Sequence, residues 1–512
     1  MTGGIVQLSL WGAEDIVLSS QPQITYFKSV FRRPTPFAQS AEEQNFQGTS
    51  DFGRRCSLSL SRSGDLCTEI WLQITLPSLD GYAENLTAPT ANRPVIRWAR
   101  YASPTSARVS LRPPLTLSAL SAQLYAATLT PDDGGPDVTG TSSAADPLTI
   151  LVTGLAPGVN YAAAVVAVDS PQGLAAEVSE SVDVIALAWA NSIGHALVES
   201  VEVECGGARV DRHTSDWLDI WTELTTPEEK RAGLWEMLGK FDQYDPHQPG
   251  VACHAGETTL YVPMQFFFNT SSSLALPLVA LVYHETRLNF QFRDYKDCVR
   301  STRHAITTLV DEMGYPLAIK EIRAFANMVY LESDERRRYS TIPHEILISQ
   351  TQFLGDAAIN VQEGDALSRK IPLEFSHPVK EIVWVFQPYD NYAGDSTTLD
   401  WFGYGTDDFF DDARIVINGH DRFSARPPGY FRLCQPYAHH TRVPNKRIYS
   451  YSFALHPEQG QASGTCNYSR IDTSQLLATL RPTLGKGRVR IFATSFNVFR
   501  IANGLGGLSF AG

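Results

Sequence analysis

No Cys-x-x-Cys pair occurs among the seven cysteines (Cys56, Cys67, Cys205, Cys253, Cys298, Cys434, Cys466), and their number is odd. The first absence removes the usual zinc-module spacing, the second gives no disulfide framework, and a reducing compartment is expected. A Lys/Arg-rich block is also missing. The nearest thing, Glu335-Arg336-Arg337-Arg338, reads as a solvated or interface turn, so a chain of net charge -13 is not expected to touch nucleic acid directly. The longest apolar stretches, such as Leu274 to Tyr283, are too short to span a bilayer. Glu14 and Asp15 stand where a signal peptide would need apolar residues, so a soluble, unprocessed chain is expected. Neither a Gly-x-Ser-x-Gly nucleophile elbow nor a Gly-x-x-x-x-Gly-Lys-Ser/Thr phosphate loop is present, and His284-Glu285 lacks the second histidine of a metallopeptidase helix. No enzymatic activity, no metal and no cofactor is expected.

What is present favours short strands. The 512 residues allow roughly two to four domains, and 43% apolar against 19% charged residues, with 36 Gly and 30 Pro, suits an all-β chain punctuated by turns. In residues 53–77, Cys56, Leu58 and Leu60 alternate with serines, Gly64-Asp65 supply turn chemistry, and Ile70, Leu72, Ile74 and Leu76 alternate again; this predicts a hairpin with one buried face. A second hairpin is predicted at Val201, Val203 and Cys205, turning at Gly206-Gly207. Thr226-Pro227-Glu228-Glu229 predicts a helix start, with Trp235 and Leu238 on one face. Further strands are expected in LYVPMQFFFN, in LALPLVALVYHETRLNFQF, and at Lys320–Leu331, Lys380–Gln387, Ala413–Asn418, Tyr449–Leu455 and Gly487–Phe496. In the Tyr449–Leu455 segment, Tyr449, Tyr451, Phe453 and Leu455 should share a face.

Residues 88–187 differ in texture, with no Lys, Cys or His and much Ala, Thr, Ser, Pro and Gly. Leu155-Ala156-Pro157-Gly158, Tyr161 and the alternation Ala163, Val165, Ala167 resemble the corner of a fibronectin type III domain, where a tyrosine ties a loop to the backbone. The segments on either side read as consecutive strands of one host domain. A small β-sandwich inserted at a surface loop is therefore expected.

The opening stretch carries Gly12-Ala13, Asp15, Pro22-Gln23-Ile24-Thr25, Phe27-Lys28 and Arg32-Arg33, and later come SRSGDLCTEI, GGARVDRHTSDW, DERRRYSTIPHE, INGHDRFSARPPGYF and NVFRIANGLGGLSFA. Through these the chain resembles the double jelly-roll major capsid proteins of the nucleocytoplasmic large DNA viruses, of chlorovirus and iridovirus type. The resemblance covers most of the chain except the insertion. It implies two tandem eight-stranded jelly rolls: an N-terminal arm at 1–22, a first roll at 23–331 interrupted by the insertion at 88–187, a linker at 332–345, and a second roll at 346–512. It further implies a homotrimer forming a pseudo-hexagonal capsomer of an icosahedral shell, an arm that locks neighbours, and contacts with neighbouring capsomers and minor capsid proteins. An inner membrane would be met only indirectly. The virion capsid, assembled in the host cytoplasm, is the implied location. The insertion departs from the family pattern, so a minor variant that decorates the surface, or binds a host glycan or fibre protein, is the alternative.

Candidate sites are few. Three sequons, at Asn85, Asn269 and Asn467, are possible glycosylation positions. The pair His439-His440 and the spaced His247 and His254 lack carboxylate or thiolate partners at a recognised spacing, apart from Cys253, and read as loop or interface histidines. Asp407, Asp408, Asp411 and Asp412 are interrupted by Phe409 and Phe410, which a calcium loop would not tolerate, so a solvated loop is expected.

Overall fold

The computed structural model describes residues 21–29, 31–79, 95–103, 106–112, 125–132, 135–141, 149–155, 161–167, 182–183, 187–240, 256–301, 306, 309, 315–361, 368–393, 398–482 and 485–510, with scattered positions among the first twenty. Met1–Phe37 form one compact unit and Ala38–Gly512 another. In the first, single helical turns close through Leu10 N–H to Val6 O (3.2 Å) and Ser20 N–H to Ile16 O (3.0 Å), and the Asp15 carboxylate accepts from Gly12 N–H at 2.8 Å. Its apolar side chains Ile5, Leu10, Ile16 and Phe27 are exposed.

The second unit opens with β1 (Phe37–Gln44), β2 (Arg55–Ser59) and β3 (Leu66–Leu76). The insertion follows, with β4 (Val95–Ser103), β5 (Ser106–Arg112), β6 (Tyr125–Pro131), β7 (Val138–Thr141), β8 (Thr149–Thr153), β9 (Tyr161–Ala167) and β10 (Val182–Asp183). The host sandwich then resumes with β11 (Val198–Cys205), β12 (Ala208–Thr214), β13 (Thr258–Pro263), β14 (Thr286–Phe292) and β15 (Glu321–Leu331). One host sheet runs β1-β15-β3-β13 and the other β12-β11-β14-β2. Leaving out the short Phe46–Gln47, which extends the second sheet beyond β2, and the short Leu187–Trp189, Leu276–Pro277 and Val299–Ser301, the eight principal host strands taken in order give sheets 1-8-3-6 and 5-4-7-2.

The C-terminal region repeats this order. Its strands are β16 (His344–Asn360), β17 (Ser368–Pro372), β18 (Pro378–Pro388), β19 (Phe410–Ile417), the short His420–Asp421, β20 (Ile448–Ser452), β21 (Ser474–Leu480) and β22 (Lys486–Ala502). The sheets run β16-β22-β18-β20 and β17-β21-β19 with His420–Asp421 at the edge, again 1-8-3-6 and 2-7-4-5. A last strand, β23 (Leu505–Leu508), folds back on β22. Two eight-stranded jelly rolls in tandem are what this order describes.

The insertion forms a three-stranded sheet β4-β5-β8 facing a four-stranded sheet β10-β9-β6-β7, the arrangement of a fibronectin type III sandwich. It joins the third and fourth strands of roll 1. Its core is its own, built on Ala99, Val109, Leu129, Ile150, Val152 and Val165. The side chain of Tyr161, which opens β9, lies outside the described residues.

Alternation explains most strands. In β3, Ile70, Leu72, Ile74 and Leu76 are buried while Trp71, Gln73 and Thr75 are half-buried. β18 departs from the rule, being buried from Val379 to Gln387. Val383 and Val385 belong to the core that continues into roll 1, whereas Ile382, Trp384 and Phe386 belong to the core of roll 2 alone. Both faces of the strand are covered, so its sequence reads as a continuous apolar run.

Several expectations need correction. The segment 53–77 is no hairpin: β2 pairs with β14, β3 pairs with β13 and β15, and the turn at Gly64-Asp65 carries the chain from one sheet to the other. Period-two burial looks the same whether two strands share a sheet or face each other across a core. The helix starting near Thr226 exists, but a second one precedes it. The apolar run from Leu274 holds just one long strand, β14, because short 3₁₀ turns take up Ser272–Leu274 and Leu278–Ala280. LYVPMQFFFN is extended as far as Pro263 and then forms a short helix at Phe267–Thr270. β20 ends at Ser452, so Leu455 escapes the face that buries Tyr449 and Tyr451 and is exposed. The second predicted hairpin does form: β11 and β12 pair around Gly206 and Gly207, whose φ of 60° and 81° fit the left-handed turn.

Candidate assembly site: the seam between the rolls

One hydrophobic cluster runs across both rolls. It joins Leu72, Val201, Trp217, Leu260 and Phe290 of roll 1 to Ile348, Val383, Ile448, Phe492 and Phe499 of roll 2. Phe492 stacks on Phe353 (4.9 Å between ring centres) and leans on Trp217 (5.4 Å). The two sandwiches are therefore fused rather than tethered, and their mutual orientation is set by close packing.

The seam is organised by helix α1 (Ser215–Thr225), SDWLDIWTELT. Trp217, Leu218, Ile220 and Leu224 bury its apolar stripe. Asp216, Asp219 and Glu223 fall at i, i+3 and i+7, on one face, and all three are buried. Each meets a different cation of roll 2: Asp216 pairs with Arg490, the Asp219 carboxylate accepts from Lys446 Nζ at 2.6 Å, and Glu223 pairs with Arg442. Lys240 of roll 1 completes the row, bonded to Glu223 and 3.9 Å from Asp219. Arg490 also reaches Asp356 at 2.9 Å, which Arg488 holds from the other side at 2.6 Å.

The electrostatics follow from burial plus pairing. Burial alone would raise the Asp219 carboxyl, but Lys446 and Lys240 outweigh it and hold the group below the usual carboxylate range. Burial pushes Lys240 down, as does Lys446, against the pull of Asp219 and Glu223. His195, fully enclosed beside Phe402, is pushed by burial down to about 4 and is neutral at physiological pH. An uncompensated charge in such a place would cost several kcal/mol, so the row specifies which face of roll 2 fits α1.

A second buried charge group sits in roll 2. His440 has no exposed side-chain surface and lies 3.0 Å from both Glu381 and Glu458. Burial favours the neutral ring, yet the two carboxylates prevail and raise it to about 9. Lys380 beside them is pushed by burial down to about 8 and donates to Ser349 Oγ (2.9 Å) and Pro457 O (2.7 Å). These bonds pin the 456–458 loop to β16 and β18.

Between this group and α1 lies a cleft lined by Asp211, His213, Trp217 and Trp221 of roll 1 and Gln350 and Lys380 of roll 2. His213 is held there by Asp211 at 3.1 Å and stacks on Phe266 at 4.6 Å.

The sites expected from sequence scatter. Asn85, His247, Cys253 and His254 lie outside the described residues. Asn269 has both amide atoms buried without a hydrogen-bond partner, whereas Asn467 is exposed and its Oδ1 accepts from Ser469 N–H at 3.1 Å. His439 contacts the Leu455 carbonyl at 3.0 Å, and His284 ties to Gly506 O at 2.8 Å. The acidic group is solvated only in part: Asp407 and Asp411 are exposed, yet Asp408 accepts from the Tyr449 hydroxyl at 2.8 Å, Asp411 from Arg481 at 3.0 Å and Asp412 from the Thr479 hydroxyl at 3.1 Å, while Phe409 and Phe410 enter the core. Among the described residues no group of three or more His, Cys, Asp or Glu is placed to hold a metal. The row on α1 went unread in the sequence, although acids at i, i+3 and i+7 on an aromatic-rich helix are a visible signal for it.

Two family profiles match the chain. One, described as large eukaryotic DNA virus major capsid protein, matches residues 335–507; the other, major capsid protein N-terminus, matches 25–103 and 164–332. Residues 104–163, inside the insertion, match neither. Over the full length of both chains, this one is 32% identical to the major capsid protein of Pyramimonas orientalis virus and 30% identical to that of Phaeocystis pouchetii virus. Among solved structures, the quasi-atomic PBCV-1 virus capsid aligns with a TM-score of 0.62 at 25% identity, covering 95% of this chain and all of that one. The Faustovirus major capsid protein aligns equally well at 13% identity, covering 96% of this chain and 94% of that one, a likeness of fold.

Proposed function

The chain belongs to the major capsid protein family of large eukaryotic DNA viruses and is a structural component of the virion capsid, and from that premise we propose that three copies close into a trimeric, pseudo-hexagonal capsomer of an icosahedral shell. The observation that carries this reading is the repeated strand order, 1-8-3-6 over 2-7-4-5 in both rolls. Three such chains present six similar sandwiches around one axis, so a threefold ring imitates a hexagon and tiles a facet. The fused core supports it, because a tile needs its two rolls at a constant angle. Mass photometry of the purified protein should give a trimer at micromolar concentration; a strictly monomeric species would overturn the reading.

The capsomer would meet neighbouring capsomers and minor capsid proteins, with assembly in the host cytoplasm. Its proposed divisions are the arm 1–22, roll 1 within 23–331, the insertion 88–187, the linker 332–345 and roll 2 at 346–512. The insertion is attached at the Leu76 end of β3, and its separate core favours an outward module that engages a host-surface glycan or a fibre protein. Replacing 88–187 by a short Gly/Ser linker should abolish that engagement and leave the trimer whole; loss of the trimer would refute the modular reading. Of the proposed glycosylation positions, Asn467 offers an open side chain, Asn269 would need a local rearrangement, and peptide mapping by mass spectrometry decides for all three, Asn85 included.

A further inference from the structure

β3 and β15 run antiparallel for eleven residues each, about 36 Å. The insertion leaves from one end, where Thr75 faces Glu321. At the other end Leu66 faces Val329, and the chain enters helix α2 (Ser333–Thr341). Four apolar side chains stand uncovered at this far end: Val282, Tyr283 (74% exposed), Ile342 and Leu505. They are brought together by Tyr283 N–H donating to Gly504 O at 3.0 Å, by His284 on Gly506, and by the register in which His344 faces Ile501 and Ile501 faces Gly506.

Arginines rim the patch. Arg62 donates to the carbonyls of Val282 (2.8 Å) and His284 (3.3 Å), and Arg336 is engaged by Asp65 at 2.9 Å. Arg337 and Arg338 are exposed on the last turns of α2, and the Arg338 carbonyl accepts from Ile342 N–H at 3.0 Å. Apolar area enriched in aromatic and arginine side chains marks an interface. Its partner should be apolar and acidic.

The first 27 residues of this chain have that chemistry. Their only charged side chains are Glu14 and Asp15, and Ile5, Val6, Leu10 and Ile16 are exposed. We infer that the far-end surface around Tyr283, Ile342 and Leu505 seats the N-terminal segment, residues 5–20, of a second copy of this chain. The apolar side chains of that segment cover the patch, and Glu14 and Asp15 meet Arg337 and Arg338. The inference rests on the capsomer reading above and names a receptor for its proposed arm.

A fluorescent peptide of residues 1–22 titrated into the full-length protein tests it by anisotropy. Binding should weaken with salt, and R337E/R338E and Y283S/I342S should each weaken it about tenfold or more. Mass photometry of the same variants should still show trimers, which separates failure of the seat from failure of the capsomer. Equal binding to wild type and both variants, or no binding, overturns the inference. Binding of the wild type, but not R337E/R338E, to phosphatidylserine-containing vesicles with no response to the peptide would also overturn it, in favour of a lipid surface.

Discussion

The seam and the insertion solve opposite problems with the same kind of sheet. At the seam, aromatic side chains of both rolls interlock and buried acids of α1 are each clasped by a cation from the other roll. The insertion keeps a small core of its own, rich in alanine and valine. Neither sandwich at the seam can move without breaking the other's packing, whereas the described core residues of the insertion form a cluster apart from it. The difference teaches how one kind of sheet serves two ends: the two rolls are fused through a shared core, and the insertion is joined to roll 1 after β3 with a core of its own.

Four measurements would break or sharpen this contrast. The largest effect is expected for Asp219→Ala, which leaves Lys446 in the seam without its carboxylate; a loss of about 3–5 kcal/mol in chemical denaturation is the expected outcome. A loss below about 1 kcal/mol would mean the row is ornamental. Next, Leu129→Ala should cost about 2–5 kcal/mol, confined to the insertion's own transition in calorimetry. If the main transition shifts as well, the two regions are coupled and the contrast fails.

The third concerns pH. Folding raises His440 from about 6.5 to about 9, so its stabilisation is complete below pH 6.5 and is lost as pH rises through 9, up to about 3 kcal/mol. Lys380 works the other way: lowered to about 8, its burial cost is full below pH 8 and fades toward 10.5. Alkaline destabilisation of the wild type should therefore be partial, and His440→Asn should remove it; an unchanged pH profile in that variant would exclude the assignment. The smallest effect belongs to Arg500→Ala, whose partner Glu345 is equally exposed: a few tenths of a kcal/mol at most, erased by salt.

Much of the fold was readable in advance. The alternation of Ile70 to Leu76, the Gly206-Gly207 turn and the change of composition at residues 88–187 each carry a local physical cause that needs no distant partner. The segment 53–77 shows the limit. Its two strands alternate correctly, yet they belong to opposite sheets, because alternation reports that one face is covered and not by what. Leu455 fails for the same reason, since the face it should share ends at Ser452. The sequons and histidines were visible as residue types, but burial sorted them: Asn269 went inside, Asn467 stayed out, and His440 became a buried cation between two carboxylates.

From the sequence alone come the strand content, the lack of catalytic or phosphate-binding motifs, the inserted module and, by resemblance, the capsid family, since all of these are written in local periodicity and residue choice. Tertiary structure alone decides which strands are neighbours, that the two rolls share one core, and that Asp219 and Lys446, 227 residues apart, meet at 2.6 Å. The reason is physical: a buried charge is stable only opposite its partner, and the partner's position is a property of the folded whole.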